Sequence, residues 1–214
     1  MSLKKYIGPL DFYKKSASIA LPLMFQQVLA GAMGIVDTVM VSWIGMVTAV
    51  GTATQVDMLS GMINYGITGG TSMFSAQFYG AKNYTNLKKS FGMSLILTFL
   101  NGLLWFIIAS VFGREIMGFY IKDAQTVEYA LKHLNITKYY LILNGVNFTF
   151  VYTYRSIKKS SLTLKISIVS MLVNAVLNYM LIYGIGIFPK MGVEGAALAT
   201  VISVIISTLF YFLH

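Results

Sequence analysis

Seven stretches of this 214-residue chain carry no charged side chain: 16 to 36, 38 to 56, 58 to 81, 90 to 113, 139 to 154, 166 to 189 and 195 to 213. Most approach the roughly 20 residues that an α-helix needs to cross the hydrocarbon of a bilayer. Such a chain has few folds open to it besides a bundle of membrane-spanning helices, because lipid offers no water to satisfy the backbone of an open sheet or loop. Composition agrees: hydrophobic residues make up 57% and charged residues 11%, and mean hydropathy is +0.71, values far from those of soluble domains. The net charge of +9 does not point to nucleic acid, since the basic residues sit between apolar stretches and not on one face of a folded domain. With no cysteine, neither a disulfide framework nor a thiolate metal site is available.

Two carboxylates, Asp37 and Asp57, break the apolar pattern from inside. If Asp37 is accepted within a span, the pattern predicts an all-α membrane protein of six helices, at 17–43, 52–80, 90–112, 135–154, 165–183 and 192–213, forming a single bundle over residues 1–214. Gly45 and Gly51 mark the first turn, Trp43 stands where an interfacial aromatic belongs, and Pro22 predicts a static kink in the first helix. Lys138, near the end of the fourth span, is expected to snorkel. Residues 114–134 are more polar, but Val127, Ala130, Leu131 and Leu134 repeat at helical spacing and predict a surface helix leading into the fourth span.

Basic residues set the orientation. Eleven (Lys4, Lys5, Lys14, Lys15, Lys82, Lys88, Lys89, Arg155, Lys158, Lys159 and Lys165) fall on one side and four (Arg114, Lys122, Lys132 and Lys190) on the other. Both termini are therefore expected in the cytoplasm, at a plasma or inner membrane. A cleaved signal peptide is not expected, because the first apolar stretch is too long and lacks a small-x-small cleavage site.

A carboxylate at mid-span costs about 2.5 to 3.5 kcal/mol and so faces protein or water and finds partners. Within the predicted spans, Asp37 lies six residues from the outer end of its helix, Asn174 and Asn178 lie nine and five from theirs, and Thr200 lies eight from the same boundary. At about 1.5 Å per residue these side chains occupy one layer in the outer half of the membrane. Asn174 and Asn178 share a face at i, i+4. A carboxylate, two amide carbonyls and a hydroxyl suit a small hard cation or an exchangeable proton, and not a soft metal. Taken alone, the asparagines would serve equally well as glue between helices.

Asp57, close to the outer boundary, is expected in a vestibule in reach of water. Asn144 and Asn147 share a face and either line a cavity or pack. The small residues Gly195, Ala199, Ser203 and Ser207, and the pair Gly66 and Gly70, are packing signals first. The thirteen Met residues suit lipid-facing or core positions before a drug pocket. His133 and His214 lie outside the spans, without partners for metal ligation. No nucleophile with a base and no phosphate-cradling loop is present, so neither enzyme activity nor an organic cofactor is expected.

Four segments, "ALPLMFQQVLAGAMGIVDTVMVSWIG", "GGTSMFSAQFYGAKN", "YRSIKKSSLTLKISIVSMLVNAVLNYMLIYG" and "GVEGAALATVIS", together and in order resemble the multidrug and toxic compound extrusion (MATE) transporters. The resemblance implies an antiporter that exports organic cations and drug-like molecules against inward Na⁺ or H⁺. It also implies that Asp37, Asn174, Asn178 and Thr200 form the cation site of the amino-terminal lobe. Some members carry a second acid where Asn178 stands, and the neutral amide here tilts the expectation toward Na⁺. Members have twelve helices in two lobes, so a second six-helix lobe is the expected partner, alongside lipid and a cationic or amphipathic substrate. Two alternatives remain at this stage: a lipid-linked saccharide flippase of the same superfamily, disfavoured because the predicted spans hold no Lys or Arg in their interior, and a truncated, non-transporting membrane module.

Overall fold

The structure, a computed structural model, describes residues 8–214, with the side chain of Ile19 excepted. It contains six helices: α1 (Leu10–Ser42), α2 (Val47–Gly80), α3 (Tyr84–Tyr120), α4 (Ala124–Ser156), α5 (Ser160–Tyr183) and α6 (Val193–Phe212). Lys4 and Lys5 of the orientation argument lie outside the described residues. By length and composition, α1, α3, α5 and α6 are apolar enough to cross a membrane. The other two helices are long enough, at 34 and 33 residues, but more polar, and their polar residues are turned inward: Ser60, Asn64, Thr68 and Ser75 on α2 and His133, Thr137 and Thr149 on α4 are all buried. Leu100, Leu104, Ile107 and Val111 of α3 are exposed on the outside of the bundle, where lipid is the natural solvent.

The first five helices run longer than the hydropathy pattern predicts, because polar turns at their ends still form backbone hydrogen bonds, and the sixth matches its predicted span to within one residue at each end. No separate surface helix precedes the fourth span. Residues 114–120 continue α3, and the apolar residues at 127–134 belong to α4, where Val127, Ala130 and Leu134 are buried. A short break at 121–123 separates the two helices. Asp123 caps α4 by accepting hydrogen bonds from the Thr126 hydroxyl at 2.6 Å and backbone N–H at 2.8 Å, which hold its carboxyl below the usual range. Such a cap satisfies donors that the first helical turn leaves free. Lys138 reaches back to Asn135 Oδ1 at 3.2 Å and lies 5.7 Å from the centre of the Phe106 ring, as a snorkelling ammonium does. α1 passes through Pro22 as one continuous helix.

Close packing falls where small residues allow it. A Cβ on Gly145 would lie 2.6 Å from the Thr98 carbonyl oxygen, and one on Gly102 would lie 2.7 Å from the Leu141 oxygen, so α3 and α4 touch backbone to backbone. Gly195 brings α6 against the Leu181 carbonyl of α5 in the same way, at 2.7 Å. The α6 stripe Gly195, Ala199, Ser203 and Ser207 is buried throughout. Gly66 and Gly70 differ: nothing stands within 4 Å of a Cβ at either position, so the GxxxG spacing of α2 packs against nothing among the described residues.

The polar seam between α2, α3 and α4 runs along this contact. Asn101 donates to Asn64 Oδ1 at 2.9 Å and to the Ser60 carbonyl at 3.1 Å. Thr149 Oγ1 meets Thr98 Oγ1 at 2.9 Å and Ser94 Oγ at 3.3 Å. Ser75 bonds Ser90 at 3.0 Å.

Candidate cation site

Two polar pins fix α1, which otherwise packs chiefly on α5. At its carboxyl-terminal end the Tyr183 hydroxyl donates to the Met40 carbonyl at 2.8 Å, beside buried Val41, Ile182 and Ala196. Toward the other end, Gln26 donates to Ser167 Oγ at 2.6 Å and accepts from Arg155 Nη2 at 2.7 Å. Between the pins lies Asp37.

The start of α6 is positioned by the short connection from α5. Gly184 takes a left-handed conformation, φ +74°, and passes so close to Lys190 that a Cβ would lie 2.7 Å from its nitrogen. Only glycine meets both demands. The N–H of Met191 then bonds the Leu181 carbonyl at 2.9 Å and that of Gly192 the Ile182 carbonyl at 3.3 Å. These bonds fold α6 back along α5 and bring Thr200 level with Asn178.

The Asn178 Nδ2 group donates to Asp37 Oδ1 at 2.5 Å and to Asn174 Oδ1 at 3.0 Å. Asn174 and Asn178 are 0% and 1% exposed, yet Asn178 Oδ1 and Asn174 Nδ2 have no hydrogen-bond partner. Buried polar atoms are nearly always paired, and an orphan calls for an explanation such as a ligand. Thr200 stands in the wall of the same cavity, but its hydroxyl donates to its own helix, to the Ala196 carbonyl at 3.1 Å. Three of the four residues are thus joined directly, and the fourth shares a cavity wall with Asp37 and Asn178 without bonding them.

That cavity, of about 460 Å³, is also lined by Asp57, His133, Thr137 and Tyr140. One expectation sharpens and another changes here. Asp57, half-buried in the cavity wall, has Oδ1 enclosed and unpartnered. His133 lies not beyond the spans but inside the bundle, 3% exposed, with Nδ1 at 3.0 Å from the Val193 carbonyl. Because a carbonyl only accepts, Nδ1 carries the proton in this contact. Hydropathy concealed which way both residues face, since a polar residue turned into a bundle looks the same in a window average as one turned to water. Among the described residues no three His, Cys, Asp or Glu side chains gather closely enough to hold one metal ion together.

A second cavity, of about 320 Å³, shares Met33, Tyr140 and Thr200 with the first and continues past Asn147 to Arg155. Asn147 both packs and lines it, donating to Ser207 Oγ and, at 3.2 Å, to Thr208 Oγ1; Asn144 is absent from its wall. The interior is therefore not free of cations: α4 extends through Ser156, which puts Arg155 in this wall, where the Gln26 bond and the Tyr152 ring, 5.1 Å away, hold it.

A six-helix membrane bundle with an acid and two amides linked at the edge of an internal cavity has the architecture of one lobe of a membrane transporter. Residues 22–180 match the model of the MatE family, and the chain belongs to that family of multidrug and toxic compound extrusion transporters. It is 30% identical over 196 residues to the probable multidrug resistance protein YoeA of Bacillus subtilis, a match covering 90% of this chain and 42% of the relative. Its fold is similar to that of a MOP superfamily transporter from Pyrococcus furiosus, with a TM-score of 0.87 at 16% identity over 100% of this chain and 48% of that one. It is also similar to an outward-facing MATE transporter, with a TM-score of 0.81 at 23% identity over 91% of this chain and 43% of that one. The chain thus spans less than half the length of the curated relative.

Proposed function

We propose that this lobe couples cation entry to the export of organic cations and drug-like molecules, with Na⁺ or H⁺ taken up at Asp37. The observation that carries this reading is the bridge from Asp37 through Asn178 Nδ2 to Asn174 beside an unused amide oxygen. In this arrangement the amide N–H group serves as the positive pole for both oxygens. Rotation of the Asn178 amide would present its carbonyl instead and let three oxygens converge on a small cation, as hard ions require. Thr200 supplies a fourth oxygen from across the cavity.

A cation that favours one conformation and a substrate that favours another exchange through differential affinity alone. Names given to curated relatives, such as multidrug resistance protein for YoeA, support drug-like cargo over a lipid-linked saccharide. The match to less than half of that relative supports a second six-helix lobe as the partner around which access alternates, with both termini of this lobe in the cytoplasm. The test is ion-driven export of a cationic dye from vesicles containing the transporter, with and without Asp37→Asn. Loss of coupling is expected; coupling that survives removes Asp37 from the site.

A further inference from the structure

The two adjoining cavities differ in sign. The one at Asp37 holds two carboxylates and no Lys or Arg. The other, walled by α1, α4, α5 and α6, holds Arg155 and no Asp or Glu. Neutral groups alone hold the Arg155 guanidinium in place: Nη2 donates to Gln26 Oε1 at 2.7 Å, and the Tyr152 ring centre lies 5.1 Å from Cζ. Gln26 is itself 7% exposed and tied to Ser167. Arg155 Nε is enclosed and has no hydrogen-bond partner. The one salt bridge among the described residues joins Arg114 to Glu128, so no carboxylate among them answers the charge of Arg155.

A charge taken partly out of water is costly unless an opposite charge and hydrogen bonds answer it. An amide oxygen and a ring face orient a guanidinium without neutralising it, whereas a carboxylate matches its planar fork and neutralises it as well. An enclosed donor without a partner calls for an explanation such as a ligand. Elsewhere the wall offers aromatic and thioether surface, from Tyr140, Phe148, Tyr152 and Tyr211 with Met33 and Met171. Its volume of about 320 Å³ suits a small organic molecule, since such sites start near about 300 Å³ and pair an apolar wall with a few fixed polar groups. We propose that this cavity binds aromatic carboxylates, with the carboxylate on Arg155 and the rings among the tyrosines and methionines. Cargo of this class goes beyond the organic cations of the proposed function and needs nothing from Asp37.

The test compares two probes of one shape. Purified protein in nanodiscs of phosphatidylcholine is titrated by calorimetry with 2-naphthoate and with its neutral amide, 2-naphthamide, using empty nanodiscs as blanks. The wild type should bind naphthoate at least about tenfold more tightly than naphthamide. In Arg155→Gln the two should bind alike, with naphthamide affinity unchanged because the cavity is intact. In Arg155→Lys, which keeps the charge and loses the fork, the preference should fall between these values. The infrared band of carbon-13 carboxylate in bound naphthoate should shift from its position in water, a readout that needs no variant. Equal affinity for the two probes in the wild type, a preference that survives in Arg155→Gln, or an unshifted band overturns the proposal. So does a preference abolished by exchanging part of the phosphatidylcholine for phosphatidylglycerol, which would assign Arg155 to a lipid phosphate. Asp37→Asn should keep the preference; its loss there would place the selectivity in the other cavity and overturn the proposal too.

Discussion

Two polar regions run through this bundle and differ in what they leave unfinished. In the seam between α2, α3 and α4, Asn101, Asn64, Ser94, Thr98 and Thr149 bond one another across backbones in contact at Gly102 and Gly145. Of these five side chains, only the Asn64 amide nitrogen is left over. Around the cavity between α1, α2, α4, α5 and α6, by contrast, the enclosed atoms without partners include the acceptor oxygens Asp57 Oδ1 and Asn178 Oδ1. Polar residues in lipid serve as glue when their acceptors are filled from within, and as a site when acceptors remain for something that comes and goes.

Four substitutions probe that contrast. The largest effect is expected from Asp37→Asn, which removes the charged ligand of the proposed cation site, worth about 1.5 to 3 kcal/mol, and should weaken Na⁺ binding at least about tenfold by calorimetry. Equal affinity in the variant would erase the difference between the regions. Gly145→Ala drives a methyl group into the Thr98 carbonyl and should lower stability in detergent by about 1 to 3 kcal/mol without changing which ion is bound. Thr149→Val removes the bonds to Ser94 and Thr98 and should cost about 1 kcal/mol, at about 0.6 kcal/mol for each bond, with ion affinity unchanged. A loss of ion response in this variant would make the seam part of the site. Gly66→Ala, facing open space, should alter the stability of this lobe by less than about 0.5 kcal/mol, although the same spacing would predict a clash at a packed interface.

Much of the architecture was legible before any coordinates. Apolar stretches separated by polar turns, once Asp37 and Asp57 are accepted within spans, specify six helices, because the cost of exposing backbone to lipid is paid residue by residue and needs no knowledge of neighbours. The shared depth of Asp37, Asn174, Asn178 and Thr200 followed from rise per residue alone. Helix ends were less legible. Residues 114–120 are polar enough to suggest a surface yet keep their α3 hydrogen bonds, and Arg155 falls inside α4 although hydropathy stops at Tyr154.

Which face each polar residue presents depended on rotation and tilt, and there the tertiary structure decided. A window average gives His133 and Asp57 the same weight wherever they point, and only the packing of α4 against α2 and α6 turns them into one cavity with Asp37. Likewise, Gly195 and Gly66 carry the same local signal, but only Gly195 has a backbone across from it. The amino acids by themselves determined that this chain crosses a membrane in helices and places an acid within one of them, since transfer into lipid is a local quantity. Their assembly determined which oxygens are filled and which are left open, since hydrogen bonding between helices is set by geometry that no single segment contains.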